Sequence, residues 1–255
     1  MMKFFHRGWR PLLVLILLLT IWQLSCWLFE IPKWLLPAPS EIWSEGVVGW
    51  GTYSSHLVAT IKLSLIGLLI GSGVGLIVAI SLHRLPKLRE AFYPIIILSQ
   101  NIPIIVLAPL LVIWFGFGLL PKIIVITLVC FFPITVAALD GFRQTTAELT
   151  HYMKMAGASK KQIFWKVEWP YALPSLFSGL KIAATYSVMG AVISEWLGAK
   201  EGIGVFMTLA SSSFRTDRVF VAIFLIMILS LVFFALISSL EKMIVKGKPK
   251  GEVNN

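Results

Sequence analysis

Charged residues are scarce in this sequence. Only 13% of its 255 residues are Asp, Glu, Lys or Arg, whereas 58% are hydrophobic and the mean hydropathy is +0.87. Soluble domains carry about 25% charged residues, which they need to cover a surface exposed to water. The composition therefore excludes a soluble globular protein and predicts an all-α, polytopic membrane protein.

Cysteine is also rare, and the motifs of several enzyme classes are missing. Cys26 and Cys130 lie inside apolar runs, so we expect buried free thiols, with neither a disulfide framework nor a metal site. The chain has no Gly-x4-Gly-Lys-Ser/Thr loop, no His-Glu-x2-His and no Gly-x-Ser-x-Gly. Without the first of these it cannot hydrolyse ATP by P-loop chemistry. We expect that it is not an enzyme and that it binds no cofactor itself.

Six apolar stretches are long enough to cross a bilayer core. They cover residues 11–29, 56–82, 91 to about 116–121, 122–139, 172–197 and 219–240. No small-x-small cleavage pattern follows the first, so we interpret it as a retained helix and not as a signal peptide. The chain then divides into an N-terminal transmembrane helix (1–30), an external loop with a short helix capped by Ser40 (31–55), a five-helix core (56–240) and a basic tail with a disordered end (241–255).

Basic residues outnumber acidic ones, 22 to 12, and give a net charge of +10. They fall between the apolar stretches rather than along one face with interleaved aromatics, so we expect no nucleic-acid partner. Fifteen of the 22 lie on one side of the predicted spans and five on the other, while Lys62 and Lys181 lie inside spans. By the positive-inside rule, both termini and the loop at 145–170 are predicted to be cytoplasmic.

Small residues recur every four positions in two of the predicted spans. The second span carries Gly67, Gly71 and Gly75, and the fifth carries Gly179 and Ala183. Residues at this spacing share one helix face, and small side chains let helix backbones approach closely. Both faces are predicted to pack against other helices.

Polar residues inside the spans are the candidates for a solute path. If the third span is one straight α-helix, the rise per residue places Gln100 and Asn101 about 14 Å from its cytoplasmic end, close to the bilayer centre. For each polar residue named below, the alternative to a place in the path is a structural hydrogen bond. For Lys181, the alternative to contact with the solute is snorkelling to the interface or an ion pair with Asp140. The path candidates are Gln100, Asn101, Thr185, Tyr186, Ser187 and, at the outer interface, Glu195.

The longest polar segment inside the apolar chain runs from residue 145 to residue 174 and predicts two short helices joined by a hinge. Thr145 with Glu148, and Ser159 with Gln162, have the spacing of capping boxes. Gly157 lies between them, where a helix ends with a left-handed residue. Pro170 is predicted to stop the second helix.

The spacing of this segment resembles the cytoplasmic loop of permease subunits of binding-protein-dependent ABC importers. That pattern is Glu-Ala-Ala, three residues, Gly, nine residues, Ile, one residue, Leu-Pro. Here the Glu-Ala-Ala positions hold His-Tyr-Met, and Trp169 replaces Leu. The resemblance implies a coupling helix that docks on an ATPase, and the alternative is an amphipathic linker on the membrane surface. The implied coupling residues are Met153, Ala156, Gly157, Ala158, Ser159, Ile163, Val167 and Pro170.

The resemblance implies a six-helix, type I importer permease in a bacterial inner membrane. Its implied partners are a second permease copy, two ATPase subunits that bind ATP and Mg, and an extracytoplasmic solute-binding protein. The runs 113–122, 130–134 and 186–199 look like those of permeases for thiamine pyrimidine precursors, and less closely like those for taurine, sulfonates and nitrate. Few charges near mid-membrane suit a neutral heterocycle.

Two other classes of protein remain as alternatives. A secondary transporter needs an ion or proton site near the bilayer centre, yet Asp140 and Glu195 are predicted near opposite edges. A membrane assembly subunit would use the loop at 145–170 for docking alone and would carry no solute.

Overall fold

Helices make up the described structure. The computed structural model describes residues 2–245, with side chains from residue 9 onward, and within these bounds it contains no strand, which confirms the predicted all-α class. A π-helical segment, Phe164–Glu168, joins two of the α-helices. The α-helices are α1 (Met2–Leu28), α2 (Pro39–Val48), α3 (Trp50–Arg84), α4 (Pro86–Ser99), α5 (Ile104–Phe115), α6 (Leu119–Arg143), α7 (Ala147–Met155), α8 (Lys160–Ile163), α9 (Trp169–Glu195), α10 (Ile203–Ser212) and α11 (Thr216–Ile244).

Three long helices, α3, α6 and α9, form the core, with α6 between the other two. The small-residue face of α3 meets α6 in the pairs Gly67 with Ile126, Gly71 with Cys130 and Gly75 with Ile134. These pairs advance in the same direction on both helices, so α3 and α6 run parallel. Helix α9 runs antiparallel to α6, because Gly190 lies beside Ile126 while Ala172 lies beside Gly141.

The close approach of these helices explains both small-residue ladders. A Cβ atom added at Gly67 would lie 2.3 Å from a side-chain atom of α6, and one added at Gly71 would lie 2.7 Å away. On α9, a Cβ at Gly179 would lie 2.6 Å from Ala137, and Ala183 is fully buried. Side chains larger than these would hold the backbones apart. The predicted packing of both ladders is confirmed, and α6 is the helix that they share.

The third span is not one continuous helix, as the sequence suggested, but the broken pair α4 and α5. The two helices meet at an angle of 100°. Pro103 begins α5 in an extended conformation, because a proline has no N–H for the preceding turn and disfavours helix at the residue before it. Gln100 and Asn101 lie in this break, so the depth calculated for them from a straight helix does not apply.

The direction of the core helices shows that the broken pair still crosses the membrane. Helix α3 ends and α6 begins at opposite ends of the bundle, so α4 and α5 together must carry the chain back across. Five further helices are long and apolar enough to span: α1, α3, α6, α9 and α11. With the bent pair counted as one span, the predicted number of six is confirmed. The start of α1 and the end of α11 lie on the same side of the bundle as residues 145–170. We call this side the loop end and the other the far end.

Two short helices lie at the far end. The start of α2 is not capped by Ser40 as predicted; instead the Glu41 carboxylate accepts a hydrogen bond from the Ala38 N–H at 3.1 Å. Helix α10 lies in the stretch 198–218, between the fifth and sixth predicted spans. An ion-pair network joins α2 to the start of α11, with Glu45 accepting from Arg215 at 3.0 Å and from Arg218 at 2.8 Å.

The polar tail begins as helix, because α11 continues to Ile244. Its predicted disordered end, residues 246–255, lies outside the described residues. Inside the bundle, Lys181 donates to Glu241 at 2.9 Å, so the predicted pairing with Asp140 is wrong. Asp140 lies instead on the last turn of α6, 3.9 Å from Arg143.

Candidate coupling loop and solute path

The coupling loop, residues 145–170, turns sharply at Gly157. Helix α7 ends just before it, and Gly157 has a φ of +79°, the left-handed conformation predicted for this position. The Ala158 N–H donates back to the Met153 carbonyl at 2.9 Å, which satisfies an acceptor at the end of α7. A Cβ at Gly157 would meet nothing within 4 Å, so the turn is open to the surroundings.

Of the two predicted capping boxes, the second is confirmed and the first is wrong. The Gln162 N–H donates to Ser159 Oγ at 3.3 Å, and the Ser159 N–H donates to Gln162 Oε1 at 2.8 Å. Helix α7 instead follows Thr146, whose side chain makes no cap bond. Thr145 Oγ1 is buried without a partner among the described residues.

Pro170 does not stop the second helix, contrary to the prediction. Helix α8 continues through the π-helical segment into α9, so residues 160–195 form one uninterrupted helical stretch. The turns of the π-helical segment are wider than those of an α-helix, and the Trp169 N–H donates to the Phe164 carbonyl five residues earlier. This hydrogen bond lies directly before Pro170, which has no N–H to donate. The second half of the coupling loop is therefore continuous with α9, so a displacement of the loop is transmitted to that helix.

The inner face of the coupling loop is fixed to the ends of α3 and α6 by an aromatic cluster. Phe164 lies 5.7 Å from Phe142, which stacks on His83 at 4.5 Å between ring centroids. His83 Nε2 lies 2.9 Å from the Glu168 carboxylate. The Arg84 guanidinium lies 4.7 Å from the centre of the Phe164 ring. This cluster connects the loop to two core helices as well as to α9.

The implied coupling residues divide between two faces of the loop. Ile163 and Val167 are buried, so they pack within this chain and are not available to a partner. The turn itself faces outward: Ala156, Gly157, Ser159 and Pro170 are exposed, and Met153 and Ala158 are half-buried. Three large apolar side chains that were not among the implied coupling residues are also exposed in this loop, namely Tyr152, Met155 and Trp165. Their presence in a polar loop is the signal that marks this outward face.

The path candidates do not converge on a single site. Asn101 Nδ2 donates to two carbonyls at the end of α4, at 3.3 and 3.4 Å. Ser187 is fully buried and donates to the Ala184 carbonyl of its own helix. Thr185, which is half-buried, likewise donates to the Lys181 carbonyl at 3.3 Å, whereas Gln100, Asn101 and Tyr186 are exposed. Only the exposed members of the set present groups that a solute could contact.

Glu195 is occupied by structural hydrogen bonds. It is 1% exposed and accepts from Thr60 Oγ1 at 2.7 Å and from the Gly204 N–H at 2.8 Å. Thr60 Oγ1 in turn accepts from the Ile203 N–H, and His56 Nδ1 accepts from the Gly202 N–H. These side chains bind the free N–H groups at the start of α10, which a helix cannot satisfy itself. The sequence could not reveal this set, because Thr60 and Glu195 are 135 residues apart.

Comparison with known proteins identifies the family of this bundle. The family described as binding-protein-dependent transport system inner membrane component matches residues 71–246, which include the coupling loop. The chain belongs to this family. It is a multi-pass inner-membrane permease subunit of an ABC importer, a class whose members work with ATPase and binding-protein partners, as the spacing around Gly157 implied.

Three similar proteins are permeases, and each aligns with this chain over most of its own length. The formylaminopyrimidine transport permease protein ThiX of Halalkalibacterium halodurans is 34% identical over 250 residues, covering 98% of this chain and 100% of that protein. The riboflavin transport system permease protein RibX of Chloroflexus aurantiacus is 31% identical over 91% of this chain and 87% of its own. The taurine transport system permease protein TauC of Escherichia coli is 31% identical over 85% and 81%.

Solved structures with the same fold confirm the architecture. The inward-facing MetNI methionine ABC transporter matches with a TM-score of 0.59 at 19% identity, over 72% of this chain and 94% of the solved chain. An amino acid ABC transporter crystallised with histidines matches with a TM-score of 0.64 at 15% identity, over 78% and 96%. The predicted ABC importer permease fold is therefore confirmed.

Proposed function

We propose that this chain forms the solute pathway of an importer for a thiamine pyrimidine precursor. The observation that carries the proposal is the 34% identity to a formylaminopyrimidine permease, which extends over the full length of that protein. The sequence runs 113–122, 130–134 and 186–199 resemble those of permeases for thiamine pyrimidine precursors and support the same class of solute. The scarcity of charges near mid-membrane suits a neutral heterocycle better than a sulfonate.

Two copies of the chain, two ATPases and an external solute-binding protein make up the proposed importer. The excess of Lys and Arg at the loop end orients the coupling loop and both termini towards the cytoplasm. The exposed face around Gly157 then docks on the ATPase, which binds ATP and Mg, while this chain binds no cofactor. Because the loop is continuous with α9 and fixed to α3 and α6, ATPase closure moves the three core helices together.

Uptake by the reconstituted complex tests the solute. Proteoliposomes that contain the permease with its ATPase should accumulate formylaminopyrimidine when ATP is inside and the loaded binding protein is outside. Taurine should not accumulate under the same conditions. Accumulation of taurine instead would assign the chain to the sulfonate group of relatives, and accumulation without ATP would make it a secondary transporter. Assembly of the complex with no uptake of either solute would contradict the proposal.

A further inference from the structure

An open cavity lies near the far end, between α3, the start of α6 and the end of α9. Its volume is about 590 Å³, within the range of sites for small molecules. One wall is apolar and includes Leu63 and Leu119, while Ser54 and Ser55 contribute hydroxyls. Two lysines, Lys62 and Lys122, also line it. Of the path candidates predicted from the sequence, Glu195 also lines this cavity, whereas the two lysines were not among those candidates.

The parallel packing of α3 and α6 brings the two lysines to the same depth. Gly67 faces Ile126, and each further turn of α3 meets the corresponding turn of α6. Extending this alignment one turn towards the far end sets Lys122 level with Leu63, the neighbour of Lys62. Two positive charges from different helices therefore enter one cavity at one level.

Neither lysine forms a direct ion pair within the part of the chain that the structure describes, although Lys122 is near enough to the Glu195 carboxylate for charge attraction. Lys33 and Lys181 each contact a carboxylate at 2.8 to 2.9 Å, whereas Lys62 and Lys122 make no ion pair or hydrogen bond there. The Glu195 carboxylate also borders the cavity, but Thr60 and Gly204 already donate to its oxygens. Charged groups within membrane spans are costly and tend to be functional.

A second carboxylate, Glu201, lies among the lining residues and is exposed in the loop before α10. It makes no ion pair with either lysine in the described structure. Unlike the lysines, it belongs to a connecting segment and not to a membrane helix. The cavity therefore combines the two lysines of α3 and α6 with apolar residues, two serines and the carboxylate residues Glu195 and Glu201.

We propose that this cavity is an entry subsite that holds the electron-rich edge of the solute between Lys62 and Lys122. Ammonium groups donate hydrogen bonds to ring nitrogens, carbonyl oxygens or an acidic group, and the apolar wall contacts the body of a small heterocycle. This inference rests on the proposed transport function. It adds that the two ammonium groups recognise hydrogen-bond acceptors on one edge of the solute.

Amine labelling of the wild-type complex tests the subsite directly. An amine-reactive reagent should modify Lys62 and Lys122 in proteoliposomes, and excess formylaminopyrimidine should lower both rates several-fold. Taurine, tested separately, distinguishes an acidic group from neutral acceptors as the source of protection. Lys200, which is exposed in the outer loop and does not line the cavity, should be labelled equally in all cases. Protection of neither lysine by either solute would overturn the subsite.

Substitutions provide a second readout. Lys62→Met and Lys122→Met should lower the amount of solute carried per ATP hydrolysed, by about tenfold for a lost charged hydrogen bond. Lys→Arg at either position should retain most of the ratio, and Lys200→Met should leave it unchanged. An unaltered ratio in both Met variants would refute the subsite. Absence of wild-type uptake would instead refute the proposed solute, and labelling would still decide the subsite.

Discussion

Replacing Gly71 with alanine should separate the two parallel core helices. The new Cβ would lie 2.7 Å from Cys130 Cβ, 3.2 Å from the Thr127 carbonyl oxygen and 3.3 Å from Thr127 Cα. Carbon atoms pack at about 3.5–4.0 Å, so the shortfall against Cys130 is about 1 Å. Two of the three atoms belong to the α6 backbone and cannot rotate away, so α3 must move as a helix.

The chain provides a matched control two residues further along α3. A Cβ at Gly73 would meet nothing within 4 Å, so Gly73→Ala adds the same methyl group without a clash. Overpacking a close contact costs about 1–3 kcal/mol, while alanine is about 1 kcal/mol better than glycine inside a helix. Because the helix-propensity gain is common to both variants, they should differ by the overpacking cost alone, roughly 1–3 kcal/mol in free energy of unfolding.

Thermal unfolding in a single detergent measures this difference. For a chain of this size the expected gap in Tm is about 2–12 °C, with Gly71→Ala at or below the wild type and Gly73→Ala above it. Equal Tm values for the two variants would refute the close packing of α3 on α6. A Gly73→Ala variant that is the less stable of the two would refute the assignment of the helix faces.

Two further variants test contacts that the sequence alone did not reveal. Lys181→Met should leave the Glu241 carboxylate without its partner and destabilise the protein by about 3 kcal/mol. In the same thermal assay, the exchanged pair Lys181→Glu with Glu241→Lys should recover most of the loss. Failure of the exchange to recover stability would contradict the ion pair. Ser159→Ala should remove the cap of α8, worth about 1 kcal/mol, and speed limited proteolysis of the coupling loop. Thr145→Ala, at the position where no cap forms, should leave the cleavage rate unchanged, and equal rates in the two variants would contradict the confirmed box.

Features set by local pattern were accessible from the sequence. Span number follows from the length of apolar stretches, and the face of α3 that packs follows from the four-residue spacing of Gly67, Gly71 and Gly75. The left-handed turn at Gly157 and the Ser159 cap each depend on neighbouring residues only. These features were predicted correctly because the physics that fixes them acts within a few turns of helix.

Features that depend on distant contacts or on competing local signals were not accessible. Pro103 was visible, but the apolar length of the third span favoured one helix and concealed the 100° break. Lys181 had two acidic residues within reach of the loop end, and only the packing of α9 against α11 selects Glu241. Glu195 gains its role from Thr60 on another helix. Pro170 was expected to end a helix that a π-helical turn carries past it.

The central claim is that the exposed turn at Gly157 transmits the ATPase cycle to the core helices. Gly157 and Gly116 have φ values of +79° and +74°, and a Cβ at either would meet nothing within 4 Å. Gly116, with a ψ of −178°, has a conformation that is essentially restricted to glycine, so tryptophan there is a stringent control for backbone strain at the opposite end of the bundle. Solute-stimulated ATP hydrolysis by the reconstituted complex is the measurement. We predict that Gly157→Trp inserts in the membrane yet loses the stimulation, while Gly116→Trp retains it. Normal stimulation with Gly157→Trp would contradict the claim.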